Sequence, residues 1–122
     1  MTDRLLATGV EDAEVAKALC DPAQSRKWRK ICRNWRGERM RWAARIIDES
    51  SASGEDPETV LRRYAEKDAC LRFFVFARPE YVAAEKRLRE ASGDARPAAE
   101  AAFRLAERRY IAVQSQMLEN AP

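Results

Sequence analysis

Arg26-Lys27-Trp28-Arg29-Lys30-Ile31-Cys32-Arg33-Asn34-Trp35-Arg36-Gly37-Glu38-Arg39-Met40-Arg41-Trp42-Ala43-Ala44-Arg45 holds nine basic residues and one acid, and it carries every tryptophan of the chain, at intervals of seven. Seven steps of about 100° fall about 20° short of two full turns, so the three tryptophans stay on one side of a helix. Ile31, Cys32, Ala43 and Ile46 share that side. Arg26, Lys30, Arg33 and Arg41 project in the opposite direction, with Arg29 and Arg36 on one shoulder and Lys27 and Arg45 on the other. A helix with an aromatic side and a cationic side needs other helices to cover the first, which predicts an all-α fold: a single compact bundle of about five helices.

The signals on either side agree with that. Upstream, Asp21-Pro22-Ala23-Gln24 combines an N-cap residue, a proline at the first helical position and a Gln positioned to close a capping box. This start predicts a long helix from there to about Glu49, with Gly37 as its expected kink. A short helix is expected before it, from about Glu11 to Cys20 with Val15, Ala18 and Leu19 as its stripe, and residues 1–10 are expected to fray. Downstream, Ser50 to Glu58 is rich in Ser, Gly, Pro and acids and reads as a solvated loop. Asp56-Pro57 restarts a helix that Val60, Leu61, Tyr64, Leu71 and Phe74 carry to about residue 76. Phe73 to Phe76 is ambiguous, since an aromatic and β-branched run also fits a short extended stretch. Pro79 is expected to interrupt, a fourth helix to reach about Ala91, and Ser92-Gly93 to stop it with Gly93 in a left-handed conformation. From Pro97 the positions Ala99, Phe103, Ala106, Tyr110, Val113 and Met117 alternate steps of four and three, the seam of a bundle helix.

Composition fits one helical domain over residues 1–122: 46% hydrophobic, 35% charged, four glycines. The longest apolar run, Phe73 to Ala77, is far below the roughly 18 residues that span a bilayer, and no signal-peptide core precedes Glu11 and Asp12, so no membrane partner and a cytoplasmic location are expected. Cys20, Cys32 and Cys70, an odd number without close pairing, read as reduced thiols.

Charge is where the chain departs from an ordinary helical domain. Its net charge is +3, yet residues 26–45 alone carry +8, leaving −5 for the rest. Elsewhere Glu stands near Arg at helical spacings; along this face it does not, and like charges repel unless an outside anion compensates them. The candidate nucleic-acid-binding residues are therefore Arg26, Lys27, Arg29, Lys30, Arg33, Arg36, Arg41 and Arg45, gripping the phosphate backbone of RNA or single-stranded DNA without sequence preference. The tryptophans read as bundle core, the alternative being rings on which bases stack. Arg39 projects into the apolar stripe, and stacking on Trp35 or Trp42 or pairing with an acid of another helix is its expected fate.

With no histidine, the commonest general base and metal ligand is missing. Gly9, Gly37, Gly54 and Gly93 stand too far apart for a phosphate loop or a dinucleotide fingerprint, and three scattered cysteines complete no zinc site. No metal, cofactor, small-molecule substrate or enzymatic activity is expected.

Residues 14–31, Glu-Val-Ala-Lys-Ala-Leu-Cys-Asp-Pro-Ala-Gln-Ser-Arg-Lys-Trp-Arg-Lys-Ile, resemble a helix-turn-helix, which implies a DNA-binding protein such as a terminase small subunit or a regulator. The motif's turn usually holds glycine and then an apolar residue, and Cys20 and Asp21 stand there instead. In size, helicity, lack of histidine and one cationic face the chain is also similar to the small helical subunits of CRISPR ribonucleoprotein effector complexes. That resemblance implies a non-catalytic subunit, packed among other protein subunits, that tracks a nucleic-acid strand through phosphate contacts. The rival reading is a protein-interaction module, a phage-encoded inhibitor or an assembly adaptor, whose basic face docks an acidic partner.

Overall fold

The computed structural model describes residues 22–121, and these are all-α. The helix expected over 11–20, the frayed start, Cys20 and the Asp21 cap lie outside the described residues. Helix α1 runs without interruption over Pro22–Ser53, α2 over Pro57–Lys67 and α4 over Arg96–Asn120. Between α2 and α4 lies α3, a continuous run made of Ala69–Leu71, a π-helical segment Arg72–Ala77 and Arg78–Glu90. A 3₁₀ turn, Gly93–Ala95, leads into α4.

Three features differ from expectation, each for a local reason. Gly37 lies inside α1 and does not break it, because its backbone is ordinary right-handed helix. The capping box expected of Gln24 involves Asp21 and so lies outside the described residues. The solvated loop expected over 50–58 shrinks to residues 54–56, because its serines serve the helix end. Ser53 Oγ donates to Glu49 O (2.8 Å), Ser50 Oγ donates to Glu55 O (2.6 Å), and Gly54, at φ +76°, donates its N–H to Ser50 O (2.9 Å). The break expected at Pro79 falls instead at Asp68, which is extended (φ −121°, ψ 113°) and whose Oδ1 accepts the Leu71 N–H at 3.0 Å as an N-cap. Arg72 reinforces that corner, donating to the terminal carbonyls Ala65 O and Glu66 O of α2 and to Gln116 Oε1 of α4.

Pro79 then sits within α3. A proline lacks an N–H and crowds the carbonyl four residues before it, here Val75. The π segment just upstream is a wider turn, in which Arg78 N–H reaches Phe73 O, and it accommodates the ring. The same widening lets three consecutive residues, Phe73, Phe74 and Val75, all be buried. That explains why this run also fitted an extended stretch.

The elements pack as two antiparallel hairpins. Trp42 meets Tyr64 (ring centroids 5.4 Å apart), and Arg63 binds both Glu55 oxygens (3.0 and 2.8 Å) and approaches Glu49 (3.5 Å), which ties α2 back along α1. Tyr81 meets Phe103 (5.5 Å) and Glu80 pairs with Arg109 (2.7 Å), which ties α4 back along α3. The hairpins meet at the π segment: Trp28 stands edge-on to Phe73 at 4.9 Å, Trp35 stacks on Phe74 at 4.9 Å with 7° between planes, and Tyr110 of α4 reaches Phe73 at 4.9 Å. Ile46, Val60, Leu61, Leu71 and Met117 complete this core. Of the seam expected on α4, Met117, Tyr110 and Val113 join this core, while Ala99 and Ala106 are buried outside it and Phe103 packs against Tyr81 of α3.

Candidate nucleic-acid interface

Burial along α1 follows the helical projection. Ser25, Trp28, Cys32, Trp35, Ala43 and Ile46 are buried, and they span less than a third of the circumference. The rings of Trp28 and Trp35 are therefore core, and with the half-buried Trp42 they offer no platform on the cationic side. Arg26, Arg29, Lys30, Arg33, Arg36, Arg41 and Arg45 are exposed.

The eight candidate residues do not form one uniform surface. Arg26, Arg29, Lys30, Arg33 and Arg41 stand clear, and no ion pair joins them to an acid among the described residues. Arg36 is exposed and already engaged by a neighbour. Arg45 folds over two rings, its guanidinium 4.8 Å from the Tyr64 centroid and 5.3 Å from that of Trp42, a cation–π contact between α1 and α2. Lys27 is half-buried and lines a cleft with Gln24, Ser115, Leu118 and Glu119, where the start of α1 meets the end of α4. These two belong to the flanks. Arg39, as its projection implies, is half-buried with Nε shielded from solvent, and it is partnered.

The one acid of the tract sits at the edge of the cationic face, beside Arg41. Glu38 lines a cleft with Arg41, Trp42, Arg45 and Asp68 at the corner between α2 and α3. Its charge, with that of Asp68, is felt by the Cys70 thiol, which burial first and these carboxylates second push up to about 11. Two consequences follow. Cys70 alkylates slowly in the native protein at neutral pH and faster only as the pH approaches 11. A thiol with a raised folded value binds its proton more tightly when folded, so its contribution to stability is complete below the ordinary value of 9.0 and is lost as pH rises from there through 11. Thiol labelling against pH, with and without denaturant, checks both; rapid native labelling at pH 7 would contradict them.

Many charges on the other elements are paired, while Arg87, Arg104 and Arg108 are exposed outside these ion pairs and within three residues of Glu90 or Glu107 in the sequence. Arg62 pairs with Glu58 (3.3 Å), Arg63 with Glu55 (2.8 Å), Arg89 with Glu85 (4.0 Å), Arg96 with Glu100 (3.1 Å) and Arg109 with Glu80 (2.7 Å). A groove of about 490 Å³ opens between α2, α3 and α4, floored by Ala65, Phe76, Ala77 and Val113. Its arginines are occupied, Arg72 by backbone carbonyls, Arg109 by Glu80 and Arg62 by the Phe76 ring at 5.3 Å.

One feature of the surface was missed in reading the sequence. Met40 and Ile47 are 56% and 40% exposed, and the projection sets them beside Arg29, Arg33 and Arg36 on one shoulder. The helical wheel carries that signal, but apolar residues outside the tryptophan stripe draw no notice when the search is for charge.

Among the described residues no group of three or more His, Cys, Asp or Glu could hold a metal ion, and no helix is long and apolar enough to cross a membrane. Of the resemblance to a helix-turn-helix, residues 14–21 lie outside the described residues, and 22–31 form the start of the 32-residue α1. Comparison with protein-family models, with curated proteins and with solved structures finds no match.

Proposed function

We propose that the chain is a non-catalytic, cytoplasmic nucleic-acid-binding protein that grips the phosphate backbone through the outer face of α1, without reading sequence, as a small subunit of a larger nucleoprotein assembly such as a CRISPR effector complex. The observation that carries this is the contrast between surfaces. Five arginines on the other helices stand in ion pairs and the others there have acids close by in sequence, whereas five cations on α1 crowd one face with only Glu38, at its edge, as an acid of their own stretch. Such a face is stabilised by an external polyanion, and a phosphate backbone supplies regularly spaced negative charge without need of a pocket.

A second reading, docking of an acidic protein, draws on Met40 and Ile47, since Met and Arg together are enriched at protein interfaces. The two readings are compatible if the shoulder meets another subunit while the centre of the face meets phosphate.

Titration of random-sequence oligonucleotides at several salt concentrations tests the proposal. Five phosphate contacts give log K against log salt a slope of roughly −4, and unrelated sequences bind with similar affinity. A flat slope, or a preference of about a thousandfold for one sequence, which is the range of specific readers, contradicts it.

A further inference from the structure

The same face narrows the partner further, an inference that rests on the phosphate-binding reading above. Proteins that hold single strands add aromatic platforms to their cationic grooves, because unpaired bases need a surface on which to stack. All ten aromatic residues of this chain lie between Trp28 and Tyr110, and every one is buried or half-buried. The cationic surface is moreover the convex outer side of a helix. It offers charge and no ring on which bases could stack, which suits a ligand whose bases are already stacked and paired and which displays only phosphate and sugar.

In the middle of this surface lies Gly37. It is exposed, and a helical neighbourhood of three and four residues sets it among Arg33, Asn34, Met40 and Arg41. A side chain built there meets no atom within 4 Å, and the backbone is not in the left-handed region, so neither packing nor conformation within the described residues calls for glycine. Glycine in a helix interior is nevertheless unfavourable relative to alanine. What it does give is a bare stretch of helix backbone. Arg33 and Arg41 flank this stretch, separated by about 12 Å of helix axis at 1.5 Å per residue.

We infer that Gly37 is the point of closest approach between α1 and double-stranded nucleic acid. The missing side chain lets one sugar-phosphate strand of a duplex pass against the helix backbone while Arg33 and Arg41 reach phosphates on either side of it. A side chain at this position holds the duplex off and lengthens both arginine–phosphate distances together.

The test compares the native protein with Gly37→Ala, Gly37→Leu and, as a control for added bulk on a surface outside the cationic face, Ala101→Leu on the exposed side of α4. Fluorescence anisotropy measures binding to a random-sequence duplex and to an unstructured single strand of the same length; circular dichroism and thermal melting monitor the fold. The native protein prefers the duplex. Gly37→Ala melts higher than the native protein yet binds the duplex more weakly. Gly37→Leu binds the duplex at least about tenfold more weakly, with a salt slope shallower by about one for each phosphate that an arginine no longer reaches, and Ala101→Leu changes neither. Native duplex affinity in both Gly37 variants overturns the closest-approach assignment while leaving phosphate binding in place. Single-strand affinity equal to or above that for the duplex overturns the duplex assignment. Failure of the native protein to bind either ligand overturns the proposed function itself.

Discussion

Reversing Arg26, Lys30, Arg33 and Arg41 to glutamate together is expected to abolish nucleic-acid binding and leave the fold intact. The four side chains are exposed, and no ion pair joins them to a described acid, so their replacement disturbs nothing that holds the helices together. Glutamate has a helix propensity close to that of lysine and arginine, and the change relieves like-charge crowding along α1. The ligand experiences the reverse. Four charges change sign on the binding surface, a net change of eight units, four phosphate partners become repulsive, and affinity at low salt falls by more than about a hundredfold as the salt slope shrinks by about three. A matched variant reversing Arg62, Arg87, Arg104 and Arg108 controls for net charge and should weaken binding by less than about tenfold. Retained binding in the first variant removes the site from α1. Equal weakening in both assigns the binding to diffuse attraction.

Trp35→Ala is expected to produce the largest loss of stability of any single substitution proposed for this chain. Trp35 is 2% exposed and lies flat on Phe74, so truncation removes a stacked pair and leaves a cavity where the two hairpins meet. Large aromatic deletions in cores cost about 3–5 kcal/mol. Against a domain stability of about 5–15 kcal/mol, that lowers the melting temperature by roughly 10–20 °C or prevents folding. Trp42→Ala, at a half-buried site against Tyr64 and Arg45, should cost about 1–2 kcal/mol, nearer the ordinary range for point substitutions. Trp35→Phe should recover much of the stability, because Trp35 Nε1 has no acceptor among the described residues and phenylalanine carries no donor to bury. An alanine variant that melts like the native protein while losing single-strand affinity would show that the ring serves a ligand, and the core assignment would fail.

The direction of each residue on α1 was legible because one strong period governs it. Three tryptophans at intervals of seven set the inward side, and burial of Cys32, Ala43 and Ile46 with exposure of Arg26, Lys30 and Arg33 follows from geometry alone. The places where reading failed are those where tertiary contacts decide. Asp68 as a helix start is hidden inside a run that keeps helical spacing from Val60 to Phe74. Pro79 is the stronger local signal and misleads, because the widened turn before it is set by burial of Phe73, Phe74 and Val75 together. In the candidate site, Lys27 and Arg45 look like their neighbours on a helical wheel. Only the return of α4 beside Lys27 and the Tyr64 ring beneath Arg45 set them apart. Glu38 is the same case in reverse, an acid inside a basic tract that lies at the edge of the face, in a cleft that Asp68 shares with Arg41 and Arg45.

The widened turn of α3 also sets how the molecule's cohesion is distributed. Rings from α1 and α4 converge on Phe73 and Phe74, so the middle of the chain acts as a keystone whose loosening releases both hairpins at once. Beyond it the second hairpin changes character: Arg78–Glu90 contains no fully buried residue, and past the contact of Tyr81 with Phe103 only Ala99 is sealed from solvent. Cooperative units follow the density of buried apolar contact. The far end of this hairpin is therefore a lever held at one end, free to breathe without disturbing the cationic helix, and insertions or fusions made near Ser92 and Gly93 are tolerated best there.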